Sequence, residues 1–265
     1  MKNLEIYCVT NKILPFLDNY KYILAGVGKN KFPKNYLRCD TENNIYHKEE
    51  FYSELAFHYW YWKNKLNISN NNWIGFCQKR RFWIKKDSVA KNIDKFNFQN
   101  HFLIEPDPTW KNYESILCNP IKVNNVKKIK LIRRGIKSII KKPSILFSNK
   151  KQNLLLHFDM HHGFGNLKKA INILDLKDRN DFLEYVNLSS SFNPNIMFIS
   201  KSDIIDRWFN DLFAWLFECE KVFGFDDLKG YDTTRLYAYL AERYLSFWFN
   251  KYAKVLEWPW TVVEN

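Results

Sequence analysis

The sequence predicts a mixed α/β domain with a mainly parallel sheet flanked by helices. Three observations predict it. Short apolar runs rich in β-branched and aromatic residues occur early and intermittently, segments with apolar residues every three or four positions lie between them, and two long helical segments close the chain. With 265 residues, 46% apolar and 18% aromatic, the chain can bury a full core, and 1–265 is expected to form one domain.

The run Leu4 to Thr10 reads as a buried strand that opens the fold and delivers Thr10 to a loop at its carboxyl end; Tyr22 to Val27 is a second. Residues Lys48 to Leu66 carry Phe51, Leu55, His58, Tyr59 and Trp62 at helical spacing, with Trp60 and Lys63 on adjoining rows, and an Asn-rich run ends this aromatic helix. Trp73 to Cys77 is another central strand, leading into Gln78-Lys79-Arg80-Arg81. Phe102 to Glu105, stopped by Pro106 and Pro108, is one more. Val126, Ile129, Ile132, Ile136, Ile139 and Ile140 then recur at helical intervals between cations, which predicts a basic amphipathic helical insertion at about 119–151. A His-bearing segment, a helical stretch from Lys168 to Tyr185 and a short strand Ile196 to Ile199 follow. Ser202 is placed to cap a long apolar helix, and the last helix runs from about Asp232 to Lys251.

Composition excludes several classes. Eight Gly and eight Pro rule out collagen-like and linker sequences, and five scattered Cys rule out a disulfide framework or finger-type zinc site. No stretch has the apolar length of a secretion signal or a membrane span, so the expectation is a cytoplasmic protein. The net charge of +13 is local: no acidic residue stands between Glu114 and Asp159, while eleven cations from Lys122 to Lys151 fill that block and leave +2 for the rest. Thirty Asn and 32 Lys also mark a compositional bias, so overall basicity says little about a polyanion partner.

The familiar catalytic fingerprints are absent: no glycine-rich dinucleotide loop, no phosphate loop, no nucleophile elbow and no zinc-protease helix. In open α/β sheets ligands bind beyond the carboxyl ends of the strands, so those segments carry the candidates. The polar loop Asp40 to Ile45, including Asn44, together with Glu54, reads either as a capping loop and surface glutamate or as a pocket rim. In the second case an acid beside Tyr59, Trp60 and Trp62 would hold a sugar stacked on a ring. Arg80 and Arg81, directly after a strand, suit a diphosphate, because guanidinium forks match phosphate oxygens. His157, Asp159, His161 and His162 look like a metal cluster at first sight. Gly163 and Gly165 are expected to break the helix that sharing would need, and structural or substrate-contacting histidines are favoured. Glu242 and Arg243 read as an ion pair bracing the last helices or as acceptor contacts.

Eight segments in order then resemble a bacterial family long catalogued as a domain of unknown function and assigned to capsular-polysaccharide or exopolysaccharide glycosyltransferases. They are Ile6 to Thr10, Asp40 to Ile45, Glu54 to Asn64, Gly75 to Phe82, His161-His162, Met197-Phe198-Ile199, Trp215-Leu216-Phe217 and Leu240 to Arg243. The resemblance spans nearly the whole chain apart from the basic block. It implies a GT-A-like transferase fed by a nucleotide-diphospho-sugar such as a UDP-sugar, with galactose or galactofuranose favoured and a capsule, O-antigen or lipooligosaccharide acceptor. Two departures bear on donor or acceptor choice: Gln78-Lys79 stands where the family has His-Tyr, and Ile196 where it has Asn.

Under that reading Arg80 and Arg81 hold the diphosphate, and Thr10, Asp40 and Asn44 the nucleotide. Asp159, His161 or His162 serves the acceptor or acts as base, and Glu54, Trp60, Lys63, Glu242 and Arg243 contact acceptor or sugar. No metal-binding residue is assigned, no cofactor is firmly implied, and use of manganese or magnesium is left open. The partners expected are the donor and a lipid-linked or oligosaccharide acceptor; the basic helix reads equally as a contact with the anionic inner face of a membrane or as a solvated insertion packed on the domain by its isoleucine stripe, and nucleic acid is not among the partners. The rival classes are a basic single-stranded nucleic-acid-binding module and a catalytically inactive scaffold.

Overall fold

A computed structural model describes residues 3–17, 21–89, 91–124, 128–141, 143–147 and 152–264. They form β1 (Leu4–Thr10), β2 (Ile23–Gly26), β3 (Leu37–Arg38), α1 (Glu49–Tyr52), α2 (Leu55–Asn64), β4 (Trp73–Gln78), β5 (Arg81–Trp83), β6 (Ser115–Cys118), β7 (Ile121–Lys122) and α3 (Lys128–Lys141). There follow α4 (Leu154–His162), α5 (Asn166–Ile171), α6 (Leu176–Leu188), β8 (Ser191–Phe192), β9 (Phe198–Lys201), α7 (Ser202–Phe223), α8 (Leu236–Tyr252), β10 (Val255–Trp258) and β11 (Trp260–Val262). The chain groups into two compact units. Unit 1 comprises Met1–Asn119, Asn195–Asp211 and Trp248–Asn265; unit 2 comprises Pro120–Pro194 and Leu212–Phe247.

Unit 1 holds a nine-stranded sheet ordered β10-β6-β9-β4-β1-β2-β3, with β5 added at β4 and β11 paired to β5. β1 runs parallel to both β2 and β4, and β6 parallel to β10, whereas β9 is antiparallel between β4 and β6. The central strands are covered on both faces, which is why β1 reads as a nearly continuous apolar run. Tyr7 meets Phe57 and Tyr61 of α2 at 5.8 and 4.7 Å between ring centroids. Ile6 and Cys8 point the other way, into a cluster with Trp73, Cys77, Ile116 and Ile199. Gly75 lies where β4 is squeezed between neighbours: an added Cβ would come 2.8 Å from Ile199 and 3.2 Å from Ile6. All five cysteines are buried and free, and Cys8 pairs with Cys77 across β1 and β4.

Unit 2 is mainly helical. Phe182 of α6 packs on Tyr244 and Phe247 of α8 at 5.2 and 5.1 Å, and the Tyr244 hydroxyl donates to fully buried Asp178 at 2.9 Å. The Trp215 indole donates to Ala170 O at 2.9 Å, tying α7 to α5. α3, the main described helix of the basic block, belongs to this unit. Val126, Lys127, Lys142, Lys150 and Lys151 lie outside the described residues.

Several elements differ from the sequence expectation. The aromatic helix is two helices, because Ser53 adopts φ 53° and ψ −128° and starts α2 afresh at Leu55. Phe102 makes one isolated bridge with Ile84 in place of a strand. Pro106 and Pro108 leave that segment without ladder donors. The 168–185 stretch divides into α5 and α6, the second capped by Asp175 accepting from Lys177 N. α7 starts at Ser202 as expected, yet the Ser202 hydroxyl donates to the carbonyl of Asn70 and tethers a loop where a cap was expected. No described helix is long and apolar enough to cross a membrane.

Candidate functional site

Because β1, β2, β3 and β4 are parallel, their carboxyl ends share one edge of unit 1. Thr10 is in register with Gly26, Gly26 with Arg38, and Val9 with Gln78. A chain of side-chain hydrogen bonds runs along this edge. Arg38, at the end of β3, donates through Nη2 to Asp40 and to the Tyr46 hydroxyl, each at 3.1 Å, and reaches Gly28 O at 3.5 Å. The Tyr46 hydroxyl itself donates to Gly28 O at 2.7 Å. The guanidinium lies 5.2 Å from the Phe32 ring centroid and 5.5 Å from that of Tyr46, and its Nη1 is shielded, with no hydrogen-bond partner among the described residues. Next along the edge, Asn30 donates to Asn11 O at 2.6 Å and the Lys79 ammonium donates to Asn11 Oδ1.

Gln78 closes the row. Its Nε2 donates to the Glu54 carboxylate and, at 2.7 Å, to Asn195 O, while its Oε1 accepts from Arg81 at 3.3 Å. Asn195 and Ile196 both carry positive φ, 69° and 51°, so two consecutive non-glycine residues hold a costly conformation where the Asn195 carbonyl is presented.

The expected site residues divide on this framework. Glu54, Arg81 and Asp40 stand at the edge. Thr10 is buried and its hydroxyl is engaged by its own loop, donating to Lys12 O at 2.6 Å and accepting from Lys12 N at 3.0 Å. Asn44 folds onto its own loop as well, and its Oδ1 accepts from Tyr46 N at 3.0 Å, which fixes the tyrosine that meets Arg38. Arg80 and Arg81 are placed differently: Arg80 is exposed in the turn between β4 and β5, and Arg81 turns back to Gln78. Trp60 is 4% exposed and is part of the core, so its ring offers no sugar platform. Lys63 sits 3.3 Å from the Trp62 ring centroid at the far end of α2, roughly 13 Å along the helix from Glu54 at 1.5 Å per residue.

Unit 2 gathers the rest around α4. The helix persists through His162, contrary to the expectation that Gly163 and Gly165 disrupt it earlier. These glycines, at φ 96° and 82°, end it only afterwards. His157 and His161 therefore lie one turn apart with rings stacked at 4.5 Å. Arg243 Nη2 donates to His157 Nδ1 at 3.1 Å, which makes that nitrogen an acceptor, and His161 Nδ1 donates to His157 O at 2.9 Å. Arg243 is 1% exposed, lies 3.9 Å over Phe192 and pairs with Glu242. Asp159 accepts from Gly165 N at 2.9 Å and caps the turn after α4; burial raises its pKa, against that hydrogen bond and nearby Ser138 and Lys141.

His162 is electronically distinct. Its Nδ1 donates to Asp232 O at 3.1 Å and its ring stacks on Tyr239 at 3.7 Å. Burial, then Arg243, lowers its pKa to about 3, so the imidazole is neutral at pH 7 with its lone pair on Nε2. Among the described residues no three His, Cys, Asp or Glu side chains gather as a metal site.

Sequence reasoning missed Arg38, Lys79 and the Gln78 bridge. Their signal was position alone: Gln78 and Arg38 are the last residues of strands whose carboxyl ends share an edge.

Residues 5–254 match a family described as a domain of unknown function, DUF4422. Among solved structures, the chain is similar to the apo form of the WbbM bifunctional glycosyltransferase, at 21% identity and TM-score 0.73. The match covers 100% of this chain and 46% of that one, so the chain spans less than half the length of that protein. No curated protein matches the chain. The structural likeness establishes the fold, a mixed α/β, GT-A-like architecture with a mainly parallel sheet flanked by helices.

Proposed function

Because the chain belongs to the DUF4422 family and has a GT-A-like fold, we propose that it is a glycosyltransferase drawing on a nucleotide-diphospho-sugar. The observation that carries this reading is the carboxyl edge of unit 1, where Arg38, Lys79 and Arg81 come from three separate positions in the chain and are held by Gly28 O, Asn11 and Gln78. Breaking the anomeric C–O bond leaves negative charge on the departing diphosphate. Cations fixed in advance stabilise that charge without reorganising during the reaction. The part-exposed Arg38 guanidinium, oriented by Asp40 and the Tyr46 hydroxyl, is a cation fixed in advance for such an anion.

Within unit 2, His162 is the group suited to orient an acceptor hydroxyl, since its neutral imidazole presents Nε2 as a hydrogen-bond acceptor, while a pKa near 3 makes it too weak a base to hold the proton. Asp159 is already committed to Gly165 N and is the weaker candidate. The finer reading rests on the motif resemblance: a hexose, galactose or galactofuranose favoured, moved from a UDP-sugar to a surface-glycan acceptor.

A thermal-shift panel tests this reading, using UDP, UDP-galactose, UDP-galactofuranose and UDP-glucose with manganese or with EDTA. A donor at about a hundred times its Kd stabilises by about 2.7 kcal/mol. Stabilisation by a UDP-sugar supports the proposal. A shift with single-stranded oligonucleotide and none with any nucleotide would place the chain in the rival binding class.

A further inference from the structure

Helix α3 divides into three longitudinal rows. Gly135, Ser138 and Ile139 face inward, and Ile139 joins Ile145 with Leu156 and Met160 of α4 in a small apolar cluster. On the next row Ile132, Ile136 and Ile140 recur every fourth residue and are 50%, 49% and 74% exposed. The row beyond it carries Arg133, Lys137 and Lys141, all exposed. An ordinary amphipathic helix buries its apolar row and exposes its cations. Here the helix is docked by a third face, and its main isoleucine row is left outside beside the cations.

We propose that α3 seats on an anionic bilayer surface, its Ile132–Ile136–Ile140 row entering the acyl boundary and its Arg133–Lys137–Lys141 row meeting lipid phosphates. Rows one residue apart are separated by about 100° on a helix, so the isoleucines point into the bilayer while the long cationic stems reach back to headgroup level. The surrounding sequence offers no acid to repel such a surface from Ser115 through Phe158. Two cations also contact unit 2: the Arg134 guanidinium is 3.4 Å from Asp232, and the Lys141 ammonium lies 4.7 Å from the Phe164 ring centroid. Tyr231, the residue before Asp232, is 88% exposed, as suits an aromatic at a membrane–water boundary. A nucleic-acid partner would leave the isoleucines unused, and an acidic protein groove has no counterpart to the apolar row. The lipid surface accounts for both rows together.

The test is co-sedimentation of the full chain with vesicles of phosphatidylcholine alone and of phosphatidylcholine containing about 30% phosphatidylglycerol, near physiological ionic strength. Three proteins are compared: the unaltered chain, the triple variant I132S/I136S/I140S and the triple variant R133Q/K137Q/K141Q. The unaltered chain is expected to partition at least about tenfold better onto the anionic vesicles, and each variant to lose about tenfold or more. Because the three isoleucines are already exposed, I132S/I136S/I140S should keep its melting temperature and its UDP-sugar thermal shift. Membrane docking and donor binding thus fail or succeed separately. No partitioning by the unaltered chain, or unchanged partitioning by the isoleucine variant, overturns the proposal. So does a dimer in sedimentation velocity that the isoleucine variant converts to monomer while vesicles bind neither protein.

Discussion

The side-chain amide of Gln78 donates to the carboxylate of Glu54, joining the end of β4 to the residue that precedes α2. The same nitrogen reaches the Asn195 carbonyl, so one amide ties three segments together at the carboxyl edge. Gln78→Leu removes both bonds and should cost about 1–3 kcal/mol, read as a fall of several degrees in melting temperature. Gln78→Glu should cost more at neutral pH, where it sets a second carboxylate against Glu54, and should recover on acidification. Equal melting temperatures for all three proteins would mean that the bridge contributes nothing.

Arg38 and Arg81 act on the donor in this account, and Arg80 does not. Arg38→Ala and Arg81→Ala should each weaken UDP-sugar binding by about 10- to 100-fold, the range for losing a charge-assisted bond, with far-ultraviolet circular dichroism unchanged. Arg80→Ala should stay within about threefold, since Arg80 is exposed in a turn. Titration calorimetry reads all three. A dominant Arg80 effect would return the site to the paired-arginine reading.

His58 gives the fold an acid limit. It is 1% exposed in unit 1, against Phe76 at 4.4 Å and Phe209 at 5.7 Å, and burial lowers its pKa from 6.5 to about 3. In that window the unfolded chain binds a proton that the folded chain refuses, so stability is full above pH 6.5 and falls as the pH drops toward 3. The slope from one such group approaches about 1.4 kcal/mol per pH unit. His162, lowered by burial and then Arg243 to about 3, adds a slope of the same sign. His58→Leu should therefore remove about half of the acid-side loss measured by denaturant titration between pH 7 and 5. An unchanged slope would show that His58 does not carry it.

His162 is neutral across the physiological range, and its removal should act on acceptor binding. His162→Ala is expected to weaken acceptor use by up to about tenfold, read as a rise in acceptor KM, the cost of one lost hydrogen bond. In the unaltered enzyme, kcat/KM should show no inflection near pH 6.5 from this group. An inflection there that disappears in His162→Ala would mean that the imidazole titrates normally and that its stacking on Tyr239 and bond to Asp232 O do not hold it neutral.

Sequence patterns captured the elements whose burial is continuous or periodic: β1 and β4 as apolar runs, and α7 and α8 by their helical spacing. They failed where the deciding interaction is long-range. β6 has four residues and β10 pairs with it from the other end of the chain, so neither carries a local signal. The break at Ser53 is a backbone conformation that serine does not advertise. Adjacency in sequence assigns Arg80 and Arg81 to the diphosphate together, but Arg80 lies in the turn and Arg81 begins β5, so only the second meets Gln78. Arg38 sits in a two-residue strand, and only the register of β3 on β2 brings it to the edge. The aromatic rows of α2 could not tell a sugar platform from core, and the burial of Trp60 decides for core.

The central claim is that the carboxyl edge of unit 1 binds a diphosphate-linked sugar. A crystal soaked with a UDP-hexose tests it most directly. Diphosphate density is expected against Arg38, Lys79 and Arg81. Density for the donor elsewhere on the protein, with these three side chains keeping only their internal partners, would contradict it.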